Sequence, residues 1–243
     1  MTIHRFFIDP KSIKAEKVFL HNDMAKQIIK VLRLKKGDKI VVLDNSGSEF
    51  LVRLDEIISG QVIGTIIKKK KNNAEPKTFI TLYQALTPRD KFELILQKCT
   101  EIGVSRFIPI ETKRSLLKVK DIKGDRLERF QKIITEAAEQ CERALLPMIN
   151  KPLKFEEAVI KLNPKELVLC AWEDEKKNSV DGILNNEGKR ISIFIGPEGG
   201  FDSSEIIFAK KHDVITVSLG PRILRTETAA IALSSLILLP SGS

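Results

Sequence analysis

Apolar and polar residues alternate in four short segments of the first 70 positions, which is the pattern of half-buried β-strands. Asn45–Ser48 separates two of these segments and is rich in turn-forming residues, so a hairpin is predicted there. Helical spacing appears over Asn22–Leu32, with Asn22 as its predicted N-cap. These elements predict a small β-barrel, with strands at His4–Ile8, Lys39–Leu43, Glu49–Leu54 and Gln61–Ile67.

Strands alternate with helices in the rest of the chain. In the longest predicted helix, apolar residues from Phe130 to Leu145 recur at intervals of three and four, which defines one buried face. The alternation predicts an α/β domain with a parallel sheet covered by helices, and the last helix is apolar nearly all round, so we expect it to be buried. The predicted strands are Thr78–Ala85, Phe107–Ile110, Leu167–Trp172, Ile191–Ile195 and Ile215–Leu219. The predicted helices are Asp90–Ile102, Arg126–Leu145, Ser203–Lys211 and Thr226–Leu239.

A charged run, Lys68–Pro76, ends in proline and predicts a linker between domains 1–73 and 74–243. The 243 residues contain 41 Lys and Arg against 32 Asp and Glu, a net charge of +9. Residues 1–73 hold 15 of these basic and 8 of these acidic residues, so +7 of the charge lies in the first domain. This asymmetry favours nucleic-acid binding by that domain, although the four consecutive lysines could equally be a solvated tether.

Several classes of protein are excluded by composition. The three cysteines (Cys99, Cys141 and Cys170) are too few and too scattered for a disulfide framework or a thiolate zinc site. The three histidines lack metal-ligand spacing, so we expect no metal. The longest apolar stretch, Ala229–Pro240, is about half of a membrane span, and the first residues do not resemble a signal peptide. We therefore expect a cytoplasmic protein with no membrane contact.

Two glycine- and proline-containing turns follow predicted strands, where ligands bind in open α/β sheets. They are Ile195–Phe201, followed by a helix capped by Asp202 or Ser203, and Leu219–Thr228, in which Thr226 is the predicted helix cap. Neither turn is a G-x-G-x-x-G or P-loop motif, and no nucleophile elbow is present. Each turn by itself could be an ordinary strand–helix turn. The presence of two such turns on successive strands, one of them with Arg225 and Glu227 at the start of the helix, favours an uncommon cofactor site.

Collinear motifs cover nearly the whole chain. They are His4–Phe7, Val31–Leu34 with Gly37–Asp38, Gln97–Val104, Pro109 followed by Arg114–Ser115, Glu136–Cys141 with Arg143, Gly196–Gly200 and Leu219–Ala229. In these motifs the sequence resembles the bacterial 16S ribosomal RNA (uracil-N3) methyltransferases of the SPOUT class.

The resemblance implies a small PUA-like β-barrel that binds RNA, followed by a SPOUT-type α/β domain with a C-terminal trefoil knot, and a homodimer. It implies S-adenosylmethionine (SAM) as the cofactor and N3 of a uridine as the methyl acceptor. The implied substrate is 16S rRNA, either naked or in the small ribosomal subunit. The residues implied to bind SAM are Leu86, Ala171, Trp172, Glu173, Ile195, Gly196, Pro197, Glu198, Gly199, Gly200, Ser218, Leu219, Gly220, Ile223 and Leu224.

The chemistry requires two further groups. Uracil N3 is a poor nucleophile until a base accepts its proton, and a cation must then stabilise charge on the ring oxygens. We expect Arg225 to be that cation and Glu227 the base, although Glu227 could simply be an acid in the first turn of a helix. The candidate phosphate contacts are Arg5, Arg33, Lys98, Arg114 and Arg143, each of which could be only a surface charge; Lys98 could also pair with Glu101.

Two other functions remain open from the sequence. One is ribose 2′-O methylation by an RNA methyltransferase of the same superfamily. The other is a non-catalytic RNA-binding dimer, against which the intact Gly-Pro turns with Arg225 and Glu227 speak.

Overall fold

The computed structural model describes residues 3–58, 60–180 and 189–239. The chain divides into two compact units. One comprises Met1–Glu75 and Ala138–Leu146, and the other comprises Pro76–Ala137 and Pro147–Ser243. The segment Ala138–Leu146 thus groups with the first unit, although the sequence-based division assigned it to the second domain.

The first unit is built on one mixed sheet. Its strands are β1 (Arg5–Phe7), β2 (Ile13–Lys14), β3 (Lys17–His21), β4 (Lys39–Leu43), β5 (Ser48–Ile58) and β6 (Gln61–Lys71). They lie in the order β1-β4-β5-β6-β3-β2, with β1 parallel to β4 and the other neighbours antiparallel. The predicted Asn45–Ser48 turn joins β4 to β5. Strands β2 and β3 were not predicted; they have two and five residues and are separated only by Ala15 and Glu16.

The predicted first helix is present but has a different beginning and an irregular second half. Helix α1 (Asn22–Lys26) is followed directly by a π-helical turn over Gln27–Val31. The N-cap is His21, so the prediction of Asn22 as the cap is wrong; Asn22 is the first helical residue, with a positive φ of 54°. Ala25 and Ile28 are fully buried and join the apolar core of the unit.

The predicted linker is wrong over its first half. Lys68–Lys71 are the last four residues of β6 and pair with Ser48–Leu51 of β5. Lys70 Nζ lies 3.1 Å from Glu49 Oε2, and Lys69 Nζ lies 5.1 Å from the centre of the Phe50 ring. A partner strand with an acid and an aromatic ring in register therefore accommodates a run that composition alone assigns to a tether.

The second unit contains a seven-stranded sheet whose pairings are all parallel, which confirms the predicted parallel α/β architecture. The strands are β7 (Phe79–Ala85), β8 (Arg106–Glu111), β9 (Met148–Ile149), β10 (Leu153–Lys154), β11 (Leu167–Ala171), β12 (Arg190–Ile195) and β13 (Ile215–Val217). Their order is β10-β8-β7-β12-β11-β13, with β9 also beside β8. The carboxyl ends of β12, β11 and β13 are consequently neighbours.

Five helices accompany this sheet in the described part of the chain: α2 (Arg89–Ile102), α3 (Gly124–Gln140), α4 (Phe155–Ile160), α5 (Ser203–Lys210) and α6 (Thr226–Leu238). Helix α4, which has fewer than two turns, was not predicted. Helix α6, expected to be buried, is buried on one side only, because Leu236 is exposed. The buried side of α6 includes Ala230, Leu233 and Ser234.

Helix α3 ends earlier than its apolar spacing predicts. Phe130, Ile134, Ala137 and Ala138 form the expected buried face, but Leu145 is 41% exposed. The chain leaves the helix after Gln140, and Glu142 takes a positive φ of 64°. Glu75 Oε1 accepts hydrogen bonds from the backbone N–H groups of Ala144 and Leu145, at 3.1 and 3.0 Å. These bonds stabilise a turn where an extended helix was predicted.

An aromatic cluster forms the core on one side of the second sheet. Tyr83 and Phe194 stack with their ring centres 4.3 Å apart, and Phe155 contacts both Phe194 and Phe201. Phe201 follows the first Gly-Pro turn and is buried in this cluster. The turn is thus anchored to the sheet by the aromatic residue at its end.

Candidate functional site

The carboxyl ends of β11, β12 and β13 open into a cavity of about 270 Å³. This is near the lower limit of small-molecule sites, which span roughly 300–1,000 Å³. Its lining consists of Ala171, Trp172, Glu173, Ile195, Gly196, Pro197, Glu198, Gly200, Ser218, Leu219, Gly220, Pro221, Arg222, Ile223, Leu224, Arg225, Thr226 and Ala229. The two Gly-Pro turns singled out in the sequence therefore line one cavity.

The sequence-predicted cofactor residues all line this cavity except Leu86 and Gly199. Leu86 is 1% exposed and its N–H donates to the Ile110 carbonyl, so it belongs to the core near the end of β7. Gly199 is not part of the cavity lining, and its carbonyl accepts a hydrogen bond from Arg114 Nη1 at 2.9 Å. Pro221 and Arg222 of the second Gly-Pro turn also line the cavity, as do Thr226, predicted only as a helix cap, and Ala229.

Thr226 joins the two turns. Its Oγ1 donates to the Gly196 carbonyl at 2.6 Å and accepts from Gln84 Nε2 at 3.0 Å. The prediction that Thr226 caps α6 is wrong: Arg225 occupies the N-cap position and makes no side-chain cap bond there. The hydroxyl is used across the sheet instead of along the helix, so Thr226 holds the start of α6 to the end of β12.

Glycine is required at three positions of the turns, for a different structural reason at each. A Cβ on Gly196 would lie 3.1 Å from the Phe201 ring, so this glycine allows the turn to pack on the aromatic core. Gly200 has a φ of +69°, and a Cβ there would collide with the carboxylate of Glu173. Gly220 has a φ of +104° with open space around it, so its requirement is conformational.

The Gly196–Gly200 turn is also held from outside the sheet. Lys91 Nζ, in the first turn of α2, lies 2.9 Å from Glu198 Oε1. This contact is the largest cause of a raised pKa for Lys91, and the Glu227 carboxylate acts in the same direction. Arg225 has the opposite effect on the pKa of Lys91. Two cations and two carboxylates therefore influence one another at the edge of the cavity.

A second clamp involves Arg114 and the acids after the turn. Arg114 Nη2 lies 3.3 Å from Asp202 Oδ2, and Glu205 accepts from the N–H groups of Lys113 and Asp202, both at 2.8 Å. Of the two predicted caps of α5, Asp202 is the N-cap, and it forms a reciprocal capping box with Glu205. Hydrogen bonds from Ser204 are the main cause of the lowered pKa of Asp202. The acids near this turn thus have structural partners.

Arg225 and Glu227 differ in their access to the cavity. Arg225 lines it, is exposed, and forms no ion pair within the described ranges. Glu227 is half-buried, does not line the cavity, and has an Oε2 that is shielded from solvent without a hydrogen-bond partner in the described structure. Arg225 can therefore reach a bound molecule directly. Glu227, two residues further along the chain, carries a carboxylate oxygen that is free to accept a hydrogen bond.

The cavity suits a ligand of mixed polarity. Ile195, Leu219, Ile223 and Leu224 supply apolar surface, and Glu173 supplies a carboxylate for hydroxyl or cationic groups. SAM combines a flat base, ribose hydroxyls and a positively charged sulfonium. The chemistry of the lining therefore fits this cofactor.

The five predicted RNA contacts are placed in different settings. Arg5 pairs with Glu49 at 3.1 Å and with Glu142 at 2.9 Å, and Arg143, 3% exposed, pairs with Glu75 at 2.8 Å. These two side chains stabilise the first unit. Lys98 pairs with Glu101 at 2.9 Å, as the alternative interpretation anticipated, and Arg114 braces the turn described above. Arg33 is exposed, with a positive φ of 54°.

Across residues 3–58, 60–180 and 189–239, no cluster of three or more His, Cys, Asp and Glu side chains is arranged to hold a metal ion. In the same ranges, no helix has the length and apolar character needed to cross a membrane.

The sequence patterns of two known domains match this chain. An RNA methyltransferase domain matches residues 74–238, and an RNA methyltransferase PUA domain matches residues 28–67. Among similar proteins, ribosomal RNA small subunit methyltransferase E of Synechocystis sp. is 36% identical over 93% of this chain and 74% of its own length. The protein of the same name from Bacillus subtilis is 31% identical, with 96% of both chains covered.

Solved structures agree with these sequence matches. A ribosomal RNA small subunit methyltransferase E from Neisseria gonorrhoeae, bound to S-adenosyl methionine, superposes with a TM-score of 0.87 at 27% identity, covering 96% of both chains. A methyltransferase from Legionella pneumophila in complex with SAM has a TM-score of 0.83 at 27% identity over 97% of both chains. These matches confirm the resemblance found in the motifs. The chain belongs to the family of RNA methyltransferases that includes the ribosomal RNA small subunit methyltransferases E.

Proposed function

We propose that this protein transfers a methyl group from SAM to N3 of a uridine in 16S rRNA of the small ribosomal subunit. The observation that carries the proposal is the cavity at the carboxyl ends of β11, β12 and β13, which both Gly-Pro turns line. The names of the relatives and the SAM complexes of the solved structures support the substrate class and the cofactor. When bound, SAM supplies an electrophilic methyl group.

The cofactor would be held by the residues that line the cavity. The apolar side chains would cover the base, Glu173 would accept hydrogen bonds, and the Thr226 bond to Gly196 would keep the two turns at a constant separation. Leu86 and Gly199, which the family resemblance also implied, would contribute indirectly: Leu86 through the core and Gly199 through Arg114. Positioning of the two reactants supplies much of the rate enhancement of a transfer reaction.

Arg225 is the proposed catalytic cation. It extends from the start of α6, lines the cavity, and has no carboxylate partner among the described residues. Its guanidinium can donate to a uracil oxygen while N3 loses its proton. A free donor at the cavity edge is what charge stabilisation in the transition state requires.

Glu227 is the proposed base. Its Oε2 has no donor in the described structure and is shielded from water, which leaves an acceptor available for the N3 proton. Because Glu227 does not line the cavity itself, the uracil would have to approach from the α6 side, past Arg225. Such an approach would place the uracil ring between Arg225 and Glu227.

The domain roles and assembly also belong to the proposal. Residues 1–73 would form a PUA-like β-barrel that binds RNA, and residues 74–243 a SPOUT domain with a C-terminal trefoil knot. A homodimer is supported by large apolar side chains left exposed on α2 and α6 and in the second Gly-Pro turn, namely Leu94, Leu236 and Ile223. The cytoplasm is the proposed location because rRNA is the substrate.

Nucleoside mass spectrometry of 16S rRNA from cells without the gene tests the reaction. We expect N3-methyluridine to disappear and to return with the wild-type gene but not with Arg225→Ala. Loss of a 2′-O-methyl nucleoside would establish the ribose methyltransferase alternative. An unchanged nucleoside profile, together with no SAM binding in calorimetry, would favour the non-catalytic RNA-binding dimer.

A further inference from the structure

The last residues of β6 form a free edge of the first sheet. β6 pairs with β5 almost from end to end, but it pairs with β3 only over Gln61–Thr65. Beyond Ile66, whose N–H donates to the Glu16 carbonyl, no strand in the described ranges covers this side of β6. The exposed edge therefore coincides with Lys68–Lys71, which we call the lysine edge.

The lysine edge presents cations on both sides of the sheet. Alternate residues of a strand point to opposite faces, so Lys69 and Lys71 share one face, and Lys68 and Lys70 share the other. All four are exposed. Lys70 is committed to the buried carboxylate of Glu49, whereas the other three form no ion pair with any described residue. Three positive charges therefore remain uncompensated.

Neutral hydrogen-bonding groups surround these charges. Ser46, Ser48 and Asn72 line the same shallow depression as Lys69, Lys70 and Lys71. Of the acids near the depression, Glu49 pairs with Arg5 and Lys70, and Glu75 pairs with Arg143. Asp44 accepts hydrogen bonds from the backbone N–H and the hydroxyl of Ser46 and has no cation partner among the described residues. The charge around the depression remains positive, because three unpaired lysines outnumber this one carboxylate.

We propose that the lysine edge binds the sugar–phosphate backbone of the RNA substrate. This inference rests on the proposed function, which supplies an RNA partner. Lysines two apart on a strand are separated by about 6.8 Å, so a row of them can follow a row of phosphates. The depression contains no aromatic side chain on which a base could stack, so this surface positions RNA without reading its sequence.

Protection of the sheet edge is the competing explanation. Lysines on exposed edge strands prevent two sheets from pairing, and this role needs no RNA. The two explanations differ in what neutralisation does: loss of a phosphate contact changes the salt dependence of RNA binding, whereas loss of edge protection changes the association of the protein with itself.

The test uses the full chain with Lys68→Thr, Lys69→Thr and Lys71→Thr combined, which keeps strand propensity and leaves the Lys70–Glu49 pair intact. The matched control, Lys123→Thr with Lys151→Thr and Lys161→Thr, removes three exposed lysines from the second unit. Binding of single-stranded poly(U) RNA is measured from 50 to 200 mM salt. Each lost phosphate contact makes the negative slope of log K against log salt shallower by about 0.7, so we expect its magnitude to decrease by about 2 in the triple variant.

Melting temperature and SAM affinity should be unchanged in both variants. A slope change no larger than in the control would overturn the inference, and a slope like that of the wild type with increased sedimentation mass would establish edge protection instead. If the triple variant is unstable, Lys68→Gln with Lys71→Gln keeps Lys69 over Phe50 and should lower the magnitude of the slope by about 1.4. Failure of the wild type to bind RNA or methylate rRNA would refute the proposed function itself.

Discussion

Replacing Thr226 by valine would separate the two turns of the cavity with little change of shape. The hydroxyl of Thr226 donates to the Gly196 carbonyl at 2.6 Å and accepts from Gln84 Nε2 at 3.0 Å, and the side chain is buried. Valine has the same branching but neither donor nor acceptor. The substitution therefore removes one bond between α6 and the end of β12, and another between α6 and β7.

The loss of stability in Thr226→Val depends on whether Gln84 and the Gly196 carbonyl keep other hydrogen-bond partners. Gln84 Nε2 still donates to the Ala85 carbonyl at 3.1 Å, so the loss on that side is small. The partly buried Gly196 carbonyl loses the Thr226 donor, which costs about 1–3 kcal/mol. For a chain of this size, each kcal/mol lowers the melting temperature by about 2–4 °C. SAM affinity should fall about tenfold for each 1.4 kcal/mol that binding must supply to restore the turn.

Thermal unfolding and calorimetry with SAM would be measured on the same preparations. Thr226→Ser retains the hydroxyl and should remain close to the wild type in both measurements. Thr228→Val places the same change on an exposed position of the same helix and serves as the matched control. If Thr226→Val costs no more than Thr228→Val in melting temperature and SAM affinity, Thr226 does not hold the turns together.

Three further predictions concern other groups of the second unit. Arg225→Ala should lower the single-turnover methylation rate at least about 100-fold, and Arg225→Lys should recover part of that rate. The melting temperature should not change, because Arg225 has no ion pair in the described structure. A large fall in melting temperature would instead indicate that Arg225 has a scaffolding role. Gly220→Ala should weaken SAM binding because its φ of +104° disfavours any side chain, whereas wild-type affinity would show that the turn tolerates a Cβ. Glu175 accepts hydrogen bonds from Thr216 and from two backbone N–H groups, which lower its pKa from 4.5 to about 2. Its stabilising contribution is therefore complete above pH 4.5 and is lost as the pH falls towards 2; in Glu175→Gln the loss of stability over this range should be smaller, and identical acid titrations would contradict this assignment.

Local sequence rules were sufficient for the elements that surround the cavity. Apolar strands followed by Gly, Pro and a capping residue predicted β12, β13, α5 and α6, because these signals act within a few residues. Parallel pairing then brings the carboxyl ends of the strands to one edge, so the residues of both turns could be assigned to one site before any coordinates. The resemblance to known methyltransferases supplied the cofactor, which periodicity could not.

Contacts between distant residues decided the rest. Lys68–Lys71 became a strand because Glu49 and Phe50 lie opposite them in register. Arg143 became a buried structural residue because Glu75, 68 positions earlier, meets its guanidinium. Thr226 holds a turn 30 positions away instead of capping its own helix. A charged or hydroxyl side chain has the same local signal whether it meets solvent, RNA or another part of the chain. Its role is determined by the partner that the tertiary structure brings within hydrogen-bonding distance.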